Sequence, residues 1–158
     1  MRNIKTIFNE DQKDRQNFDL MPEEMTRRDT NRRKEVWNLI EQRAIQTGVD
    51  FYYAAFIFHH GLSKADSQQA MKLAKKSIGL KYPKAKWLYA AAIDRLLIKE
   101  GKPQKYGTQY EKKKGGKWKL LPLDRKTTDT ERAKFNIAPV SQLIKQIEEL
   151  NQAEKTKS

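Results

Sequence analysis

The chain has 158 residues, of which 33 are lysine or arginine and 20 are acidic, so its formal net charge is +13. This length predicts one domain that can bury its own core. The positive charge favours an anionic ligand, an acidic protein segment or nucleic acid as partner. Cysteine is absent, which excludes disulfides, thiolate nucleophiles and cysteine zinc sites.

The apolar segments are too short for a membrane span. The longest strongly apolar run, 51–58, falls far below the roughly 20 residues that a transmembrane helix needs. The segment 1–20 mixes acids and amides where a signal peptide would need an apolar stretch. We therefore expect a cytoplasmic protein without a membrane partner.

The first part of the chain predicts a polar arm and two helices. Residues 1–20 show no clear apolar period, so we expect a flexible N-terminal arm. Pro22 followed by two glutamates is typical of a helix start, because the first turn does not use the N–H that proline lacks. This helix is predicted over 22–47. Asp50 is expected to cap a second helix over 51–58, which is apolar on nearly every face and therefore buried.

Two further helices follow. Ser63 with Asp66 three residues later matches a capping box for a third helix, which Gly79 ends. Pro83 opens a fourth helix, and Gly101 ends it. Because short glycine-bearing turns join these helices, the sequence favours antiparallel helical hairpins.

The composition of the sequence changes after the fourth helix. A β-hairpin is predicted near 104–122, where a Lys-Gly-Gly turn separates two segments that contain tyrosine and tryptophan. Thr128 opens a capping-box pattern, and Pro139 opens an amphipathic last helix. We therefore predict a mainly α fold of antiparallel, repeat-like helical hairpins with one small β-hairpin and a C-terminal helix. It forms a single domain, 21–152, followed by a disordered tail, 153–158.

An internal match at an offset of 36 residues aligns 51–57 with 87–93. Periods of this size are typical of stacked helical hairpins, and this part of the chain resembles tetratricopeptide and Sel1-like repeats. That resemblance implies a concave, peptide-binding groove. Three tyrosines are expected to line it: Tyr52, Tyr53 and Tyr89. The same offset lays His59 over Arg95, at about a helix-packing distance of 10 Å.

The polar residues in these helices are candidates for chemistry. His60 follows the second helix, where the negative helix end favours a protonated imidazole, and it is the candidate acid or base. Asp94 and Arg95 interrupt an apolar helix, where a charge is costly unless it is paired. Arg95 is a candidate phosphate or carboxylate ligand, and Asp94 a candidate partner for a histidine. The structural alternatives are a capping histidine and an internal ion pair.

A polar cassette follows the fourth helix. Gln104, Tyr106 and Gln109 concentrate hydrogen-bonding groups there, and Gly107 lets the backbone approach a ligand closely. Tyr106 is a candidate catalytic hydroxyl, and the two glutamines are candidate ligand-binding residues. Equally, these side chains could satisfy a tight turn at the base of the hairpin.

The hairpin itself carries a run of lysines: Lys112, Lys113 and Lys114. Together with Trp118 they form a candidate nucleic-acid contact, because ammonium groups bind phosphate and an indole stacks on a base. The alternative is that the lysines protect an exposed strand edge from aggregation.

Metal and cofactor chemistry have little support. Two adjacent histidines without cysteine or an HExxH spacing do not make a zinc set. The chain also has no Walker loop, no GxGxxG and no GxSxG. We therefore predict no metal and no cofactor.

These residues together resemble an uncharacterised bacterial family, a domain of unknown function. The resemblance depends on His60-Gly61, on Asp94-Arg95, on the PQxYGTQ cassette and on a later Asp-Thr-Glu-Arg segment. It implies no activity, but it implies one constellation of site residues: His60, Asp94, Arg95, Gln104, Tyr106, Gln109 and Arg132. Similar sequences often have glutamine at the position of His59.

Three functions remain open from the sequence. The first is a helical binding domain for an anionic ligand or an acidic protein segment. The second is a small metal-independent hydrolase or transferase that acts on a phosphate-bearing substrate, with His60 moving a proton and Arg95 and Arg132 holding the anion. The third is a nucleic-acid-binding accessory protein that uses the hairpin lysines.

Overall fold

The computed structural model describes residues 2–156, which form seven helices and one two-stranded antiparallel sheet. The predicted mainly α fold with a small β-hairpin and a C-terminal helix is confirmed. Within these residues, none of the helices combines the length and the apolarity that crossing a bilayer would require.

The first five elements are helices: α1 (Ile4–Arg15), α2 (Pro22–Glu41), α3 (Gly48–His59), α4 (Lys64–Gly79) and α5 (Ala85–Lys99). The remaining elements are β1 (Tyr110–Lys112), β2 (Trp118–Leu120), α6 (Asp129–Ala133) and α7 (Val140–Lys155). Most predicted elements are present, but several begin or end at other residues. The C-terminal tail differs too, because α7 continues to Lys155 where disorder was expected; the last two residues lie outside the described part.

Helices α3, α4 and α5 form the main core. Helix α4 packs against both α3 and α5. Eight alanines in these helices have no exposed surface, and five of them belong to the main core, where they let the helices approach closely: Ala54, Ala55, Ala70, Ala74 and Ala92. Larger side chains such as Ile57 and Leu88 fill the space between the helices. This arrangement matches the predicted helical hairpins, while a repeat array remains a prediction.

Capping residues explain where these helices begin. Ser63 and Asp66 form the predicted capping box of α4. Helix α3 also begins with a capping box, but Thr47 is its N-cap, and Asp50 closes the box from the third helical position. The prediction that Asp50 itself is the N-cap is therefore wrong by one turn.

Helix α2 ends at Glu41, six residues before the predicted end at 47. Arg43 adopts a left-handed backbone conformation with φ of 55°. The N–H of Ala44 then donates to Leu39 O at 2.9 Å, and the N–H of Arg43 donates to Ile40 O at 3.0 Å. These two bonds form a Schellman motif with arginine where glycine is usual, so no glycine marks this helix end in the sequence.

The N-terminal segment is a helix rather than a flexible arm. Asn3 caps α1 by accepting a hydrogen bond from Thr6 N at 2.9 Å. Ile4 and Ile7 are buried in the main core, and the ring of Phe8 stacks on Tyr53 with centroids 4.3 Å apart. This helix has few apolar residues among many charged ones, so its sequence shows no clear apolar period.

Helix α1 also changes the expected peptide groove. Phe8 lies against the rings of both Tyr52 and Tyr53, and Tyr89 stacks on Phe135 at 5.7 Å. These tyrosines are partly buried against the core. The three tyrosine rings therefore pack against other aromatic side chains of the chain instead of together lining an open groove.

The β-hairpin is shorter than predicted. Tyr110 pairs with Leu120 and Lys112 with Trp118, while residues 104–109 form a loop rather than a strand. Gly107 in this loop has a φ of 89°, and a Cβ at this position would lie 2.8 Å from Leu143 Cδ1 of α7. Only glycine fits such a close approach in this conformation.

The position of α1 predicts a stability effect. Ile7→Ala should lower the free energy of unfolding by about 2–4 kcal/mol, because it leaves a cavity beside the core. The matched control is Phe18→Ala, since Phe18 is 99 % exposed and its loss should change stability by less than about 0.5 kcal/mol. Urea denaturation measures both, and equal effects would show that α1 does not belong to the cooperative unit.

Candidate functional site

Asp94 and Arg95 are adjacent on α5, but their side chains contact different parts of the protein, because successive helical side chains point about 100° apart. Asp94 points toward the loop 104–109, and Arg95 points toward the end of α3. The structure therefore divides the predicted constellation into two groups, which we call the Asp94 loop cluster and the α3-end cluster.

The Asp94 loop cluster depends on one buried carboxylate. Asp94 has no exposed surface. Its Oδ1 accepts hydrogen bonds from the backbone N–H of Lys105 at 2.7 Å and of Tyr106 at 2.8 Å. Its Oδ2 accepts from the N–H and the hydroxyl of Thr108 at 3.0 and 2.8 Å. Four donors compensate the buried charge, and the carboxylate holds the loop in place.

Gln104 connects the loop to the hairpin. Its side chain is fully buried. The amide oxygen accepts from Gln109 N at 2.9 Å, and the amide nitrogen donates to Gln109 O at 2.8 Å and to Leu121 O at 2.9 Å. Because the amide is fully engaged, it holds the base of the hairpin and offers no free group to a ligand.

Arg132 holds the opposite side of the same loop. It is 3 % exposed. Its guanidinium donates to the carbonyls of Thr127, Tyr106 and Lys105 at 2.7, 3.3 and 3.3 Å. It also pairs with Asp129 at 3.2 Å. Arg132 therefore stabilises the loop from α6.

Tyr106 fills a second, smaller core. Its side chain packs with Ala90 and Ile137, and its ring meets Phe135 with centroids 4.9 Å apart. Burial raises the pKa of its hydroxyl, as do nearby Tyr89 and Asp94. Gln104 and Tyr106 thus make contacts within the protein, as the structural alternative for the cassette expects. Asp94 accepts hydrogen bonds from the loop instead of forming the internal ion pair that was its structural alternative.

The α3-end cluster contains the contact that the repeat offset predicts. Arg95 Nη1 donates to His59 O at 2.7 Å, and Arg95 Nε donates to Gln109 Oε1 at 3.2 Å. One turn later on α5, Lys99 Nζ donates to Gly61 O at 3.0 Å and to Ser67 Oγ at 2.8 Å. Two cations thus lie at the negative end of α3, where they stabilise the helix dipole.

These two cations are not neutralised by an ion pair. Within residues 2–156, no carboxylate forms a salt bridge with Arg95 or Lys99. Burial lowers the pKa of both, and the positive charge of Arg15 lowers the pKa of Arg95 further. Keeping these two cations charged in the cluster therefore costs free energy.

Helix α1 supplies two members that the sequence analysis missed. His60 Nε2 lies 3.4 Å from Asp11 Oδ2, without the alignment of a hydrogen bond. Arg15 Nη2 donates to Asp11 Oδ1 at 3.1 Å and to Asp29 Oδ2 at 2.7 Å. The Asp-x-x-x-Arg spacing at 11–15 was the available signal, but it lay in the supposed arm.

The pKa values follow from burial and from these charges. Asp11 is almost completely buried. Burial alone would raise the pKa of Asp11, but the contact with His60 and the charges of Arg15 and Arg32 lower it overall. Burial, together with nearby Arg95, lowers the pKa of His59 to about 2, so His59 is neutral at physiological pH.

Unsatisfied polar atoms concentrate in the α3-end cluster. Among the described residues, three buried side-chain N or O atoms have no hydrogen-bond partner: Arg15 Nε, His59 Nδ1 and His60 Nε2. All three are nitrogens, and all three belong to this cluster. Buried polar groups without a partner are uncommon in folded proteins, and a catalytic role or a bound ion is among the explanations for them. No group of three or more His, Cys, Asp or Glu side chains in residues 2–156 is arranged to hold a metal ion.

The lysine-rich hairpin lies apart from both clusters. Lys112 pairs with Glu154 of α7, and Trp118 Nε1 donates to Glu154 Oε1 at 2.9 Å. Lys113 and Lys114 are exposed at the tip. The indole of Trp118 is therefore engaged with α7, while two of the three predicted lysines face solvent.

A charged groove of about 740 Å³ lies between α1 and α2. All four of its arginines form ion pairs with neighbouring carboxylates: Arg2, Arg27, Arg28 and Arg32. None of the site residues predicted from the sequence lines it. The described arginines of the groove are paired in this way, whereas the α3-end cluster contains two cations without a salt bridge to a described residue, Arg95 and Lys99, so the groove is the weaker anion site.

Asp94→Asn should destabilise the protein by about 2–3 kcal/mol, because an amide nitrogen cannot accept the hydrogen bonds that the carboxylate accepts. The backbone amides of Lys105, Tyr106 and Thr108 should lose protection from hydrogen exchange at the same time. Asp19→Asn is the control, since Asp19 is exposed. Unchanged protection of the three amides in Asp94→Asn would contradict this account.

The neutral state of His59 predicts a pH dependence. Because the pKa of His59 falls from 6.5 to about 2 on folding, the unfolded chain binds a proton that the folded chain does not, and stability decreases as the pH falls below 6.5. Proton uptake by His59 in the unfolded chain should lower the free energy of unfolding by about 2 kcal/mol between pH 7 and pH 5. His59→Gln should remove that part of the pH dependence in urea denaturation; identical pH profiles would show that His59 titrates normally.

Comparisons with models of protein families, with curated proteins and with solved structures find no match. The resemblance to a bacterial domain of unknown function therefore remains a prediction.

Proposed function

We propose that this protein is a small helical binding domain for an anionic ligand and that the anionic group binds at the α3-end cluster. The ligand-binding residues are Arg15, His60, Arg95 and Gln109. The observation that carries the proposal is that the unpartnered buried nitrogens all lie in this cluster. A phosphate or carboxylate oxygen supplies the acceptor that these nitrogens lack.

The electrostatics support an anion over a cation. Arg95 contacts only neutral acceptors, the carbonyl of His59 and the amide of Gln109. Burial and the positive charge of Arg15 lower the pKa of Arg95, which means that its charged form is destabilised at this position. A bound anion would stabilise that charged form. Guanidinium groups also offer several donors in a fixed plane, which suits phosphate and carboxylate.

The proposal narrows the constellation that the family resemblance implies. His60, Arg95 and Gln109 remain as ligand-binding candidates, and α1 adds Arg15. Asp94, Gln104, Tyr106 and Arg132 instead act on the loop that carries Gln109, since their polar or apolar contacts are made within the protein. These four residues position the site and do not touch the ligand.

A thermal-shift screen with phosphate, pyrophosphate, nucleotides and citrate tests the proposal. A ligand at about 100 times its Kd should stabilise the wild type by roughly 2.7 kcal/mol, which corresponds to about 5–10 °C in a chain of this length. Arg95→Gln should abolish that shift relative to its own ligand-free melting temperature. Arg125→Gln is the control, since Arg125 is exposed and loses the same charge.

The variants distinguish an anion bound at the α3-end cluster from an anion bound elsewhere. Arg15→Gln provides a second variant should Arg95→Gln fold poorly, and its shift should fall as well. If an anion stabilises wild type, Arg95→Gln and Arg15→Gln equally, the anion binds elsewhere and the proposal fails. If no anion in the screen shifts the wild type, the cluster is a structural cap of α3.

A second candidate is a metal-independent hydrolase of a phosphate ester. The contact between His60 and Asp11 favours it, because a carboxylate beside an imidazole orients that imidazole for proton transfer. His60 would accept a proton from the attacking water and return it to the leaving alcohol as the P–O bond breaks. An assay of phosphate release from phosphate esters in the presence of a chelator checks this: release should disappear in His60→Gln and persist in His59→Gln.

A further inference from the structure

The two edges of the β-hairpin differ in whether a side chain from elsewhere in the protein covers them. The outer edge of β2 is covered by the side chain of Asn151 from α7. Trp118 N donates to Asn151 Oδ1 at 2.7 Å, and Asn151 Nδ2 donates to Trp118 O at 3.0 Å. The amide thus makes the same pair of hydrogen bonds that a neighbouring strand would make.

Among residues 2–156, no side chain covers the outer edge of β1 in this way. In an antiparallel pair, residues alternate between pointing their N–H and C=O toward the partner strand and away from it. Because Trp118 points these groups away from β1, its partner Lys112 points them away from β2, and Tyr110 does the same two residues earlier. Within residues 2–156 the sheet contains only two strands, and β1 is exposed along its length.

One face of the hairpin beside this edge is basic. A hollow of about 390 Å³ is lined by Glu111, Gly116 and three lysines, Lys113, Lys117 and Lys119. No ion pair with an acidic side chain of the described residues engages these lysines. An acidic side chain that reaches this face therefore meets a net positive charge.

The opposite face is aromatic. Tyr110 is 50 % exposed and lies edge-on against Trp118, with ring centroids 5.4 Å apart. Side chains of a strand alternate between the two faces, so a third strand would direct every second residue to the lysines and the intervening residues to Tyr110.

We propose that β1 accepts an extended acidic peptide of a partner protein as a third, antiparallel strand. Its acidic residues lie over the basic face, and its apolar residues lie over Tyr110. Hydrogen bonds to the N–H and C=O of Tyr110 and Lys112 hold the backbone, while alternate side chains give the specificity. The lysines repel basic strands and copies of this hairpin, so they protect the edge and select the partner at once.

The test uses the full chain and a labelled peptide of four alternating Glu-Val units, followed by fluorescence anisotropy. In an antiparallel strand, residues directly opposite Tyr110 and Lys112 share their face and exchange hydrogen bonds with them. N-methylation of the valines should therefore weaken binding about fivefold or more for each lost bond. N-methylation of the glutamates should leave binding within about twofold, because those N–H groups point to solvent.

Two controls concern charge. A Lys-Val peptide of the same length should not bind, and replacing Lys113, Lys117 and Lys119 together by glutamine should weaken the Glu-Val peptide about tenfold or more. Arg95→Gln should leave peptide binding unchanged, so failure of the anion site and failure of this surface are distinguishable.

Equal effects of the two N-methylated peptides would overturn strand addition. Binding of a single-stranded oligonucleotide that displaces the Glu-Val peptide, or binding of the oligonucleotide alone, would also overturn it and assign the lysines to nucleic acid.

Discussion

One buried carboxylate determines how the helical core joins the rest of the chain. Asp94 accepts three backbone N–H groups and one hydroxyl from the loop after α5. Through that loop it fixes Gln109, which meets Arg95, and it fixes Tyr106 in the second core. The hairpin, α6 and α7 all follow this loop, so the same four hydrogen bonds, together with the second core, hold them against α5.

Local signals in the sequence predicted the helical part well. The capping box at Ser63 and the proline before α7 marked real helix starts, because capping depends on a few neighbouring residues. The offset of 36 residues also predicted the neighbourhood of His59 and Arg95. Such an offset reports which helices lie side by side, and it therefore predicts a contact between distant residues.

The remaining features depend on contacts that leave little trace in a single sequence. Helix α1 has only a few apolar side chains, and its burial depends on Tyr53 and Phe56 of α3. Asp11 and Arg15 were missed with it. The partners of Asp94 are mainly backbone N–H groups, which every residue except proline possesses; residue type therefore could not reveal that Asp94 holds a loop while its neighbour Arg95 meets α3.

The bond pair between Asn151 and Trp118 gives the C-terminal helix a role in limiting assembly. A hairpin with both edges free can be extended by strands on either side, whereas a hairpin with one edge closed can be extended on the other side alone. The side chain of Asn151 thus occupies the position that a neighbouring strand would take beside β2. A change that separates the last turns of α7 from β2 would therefore expose a second strand edge.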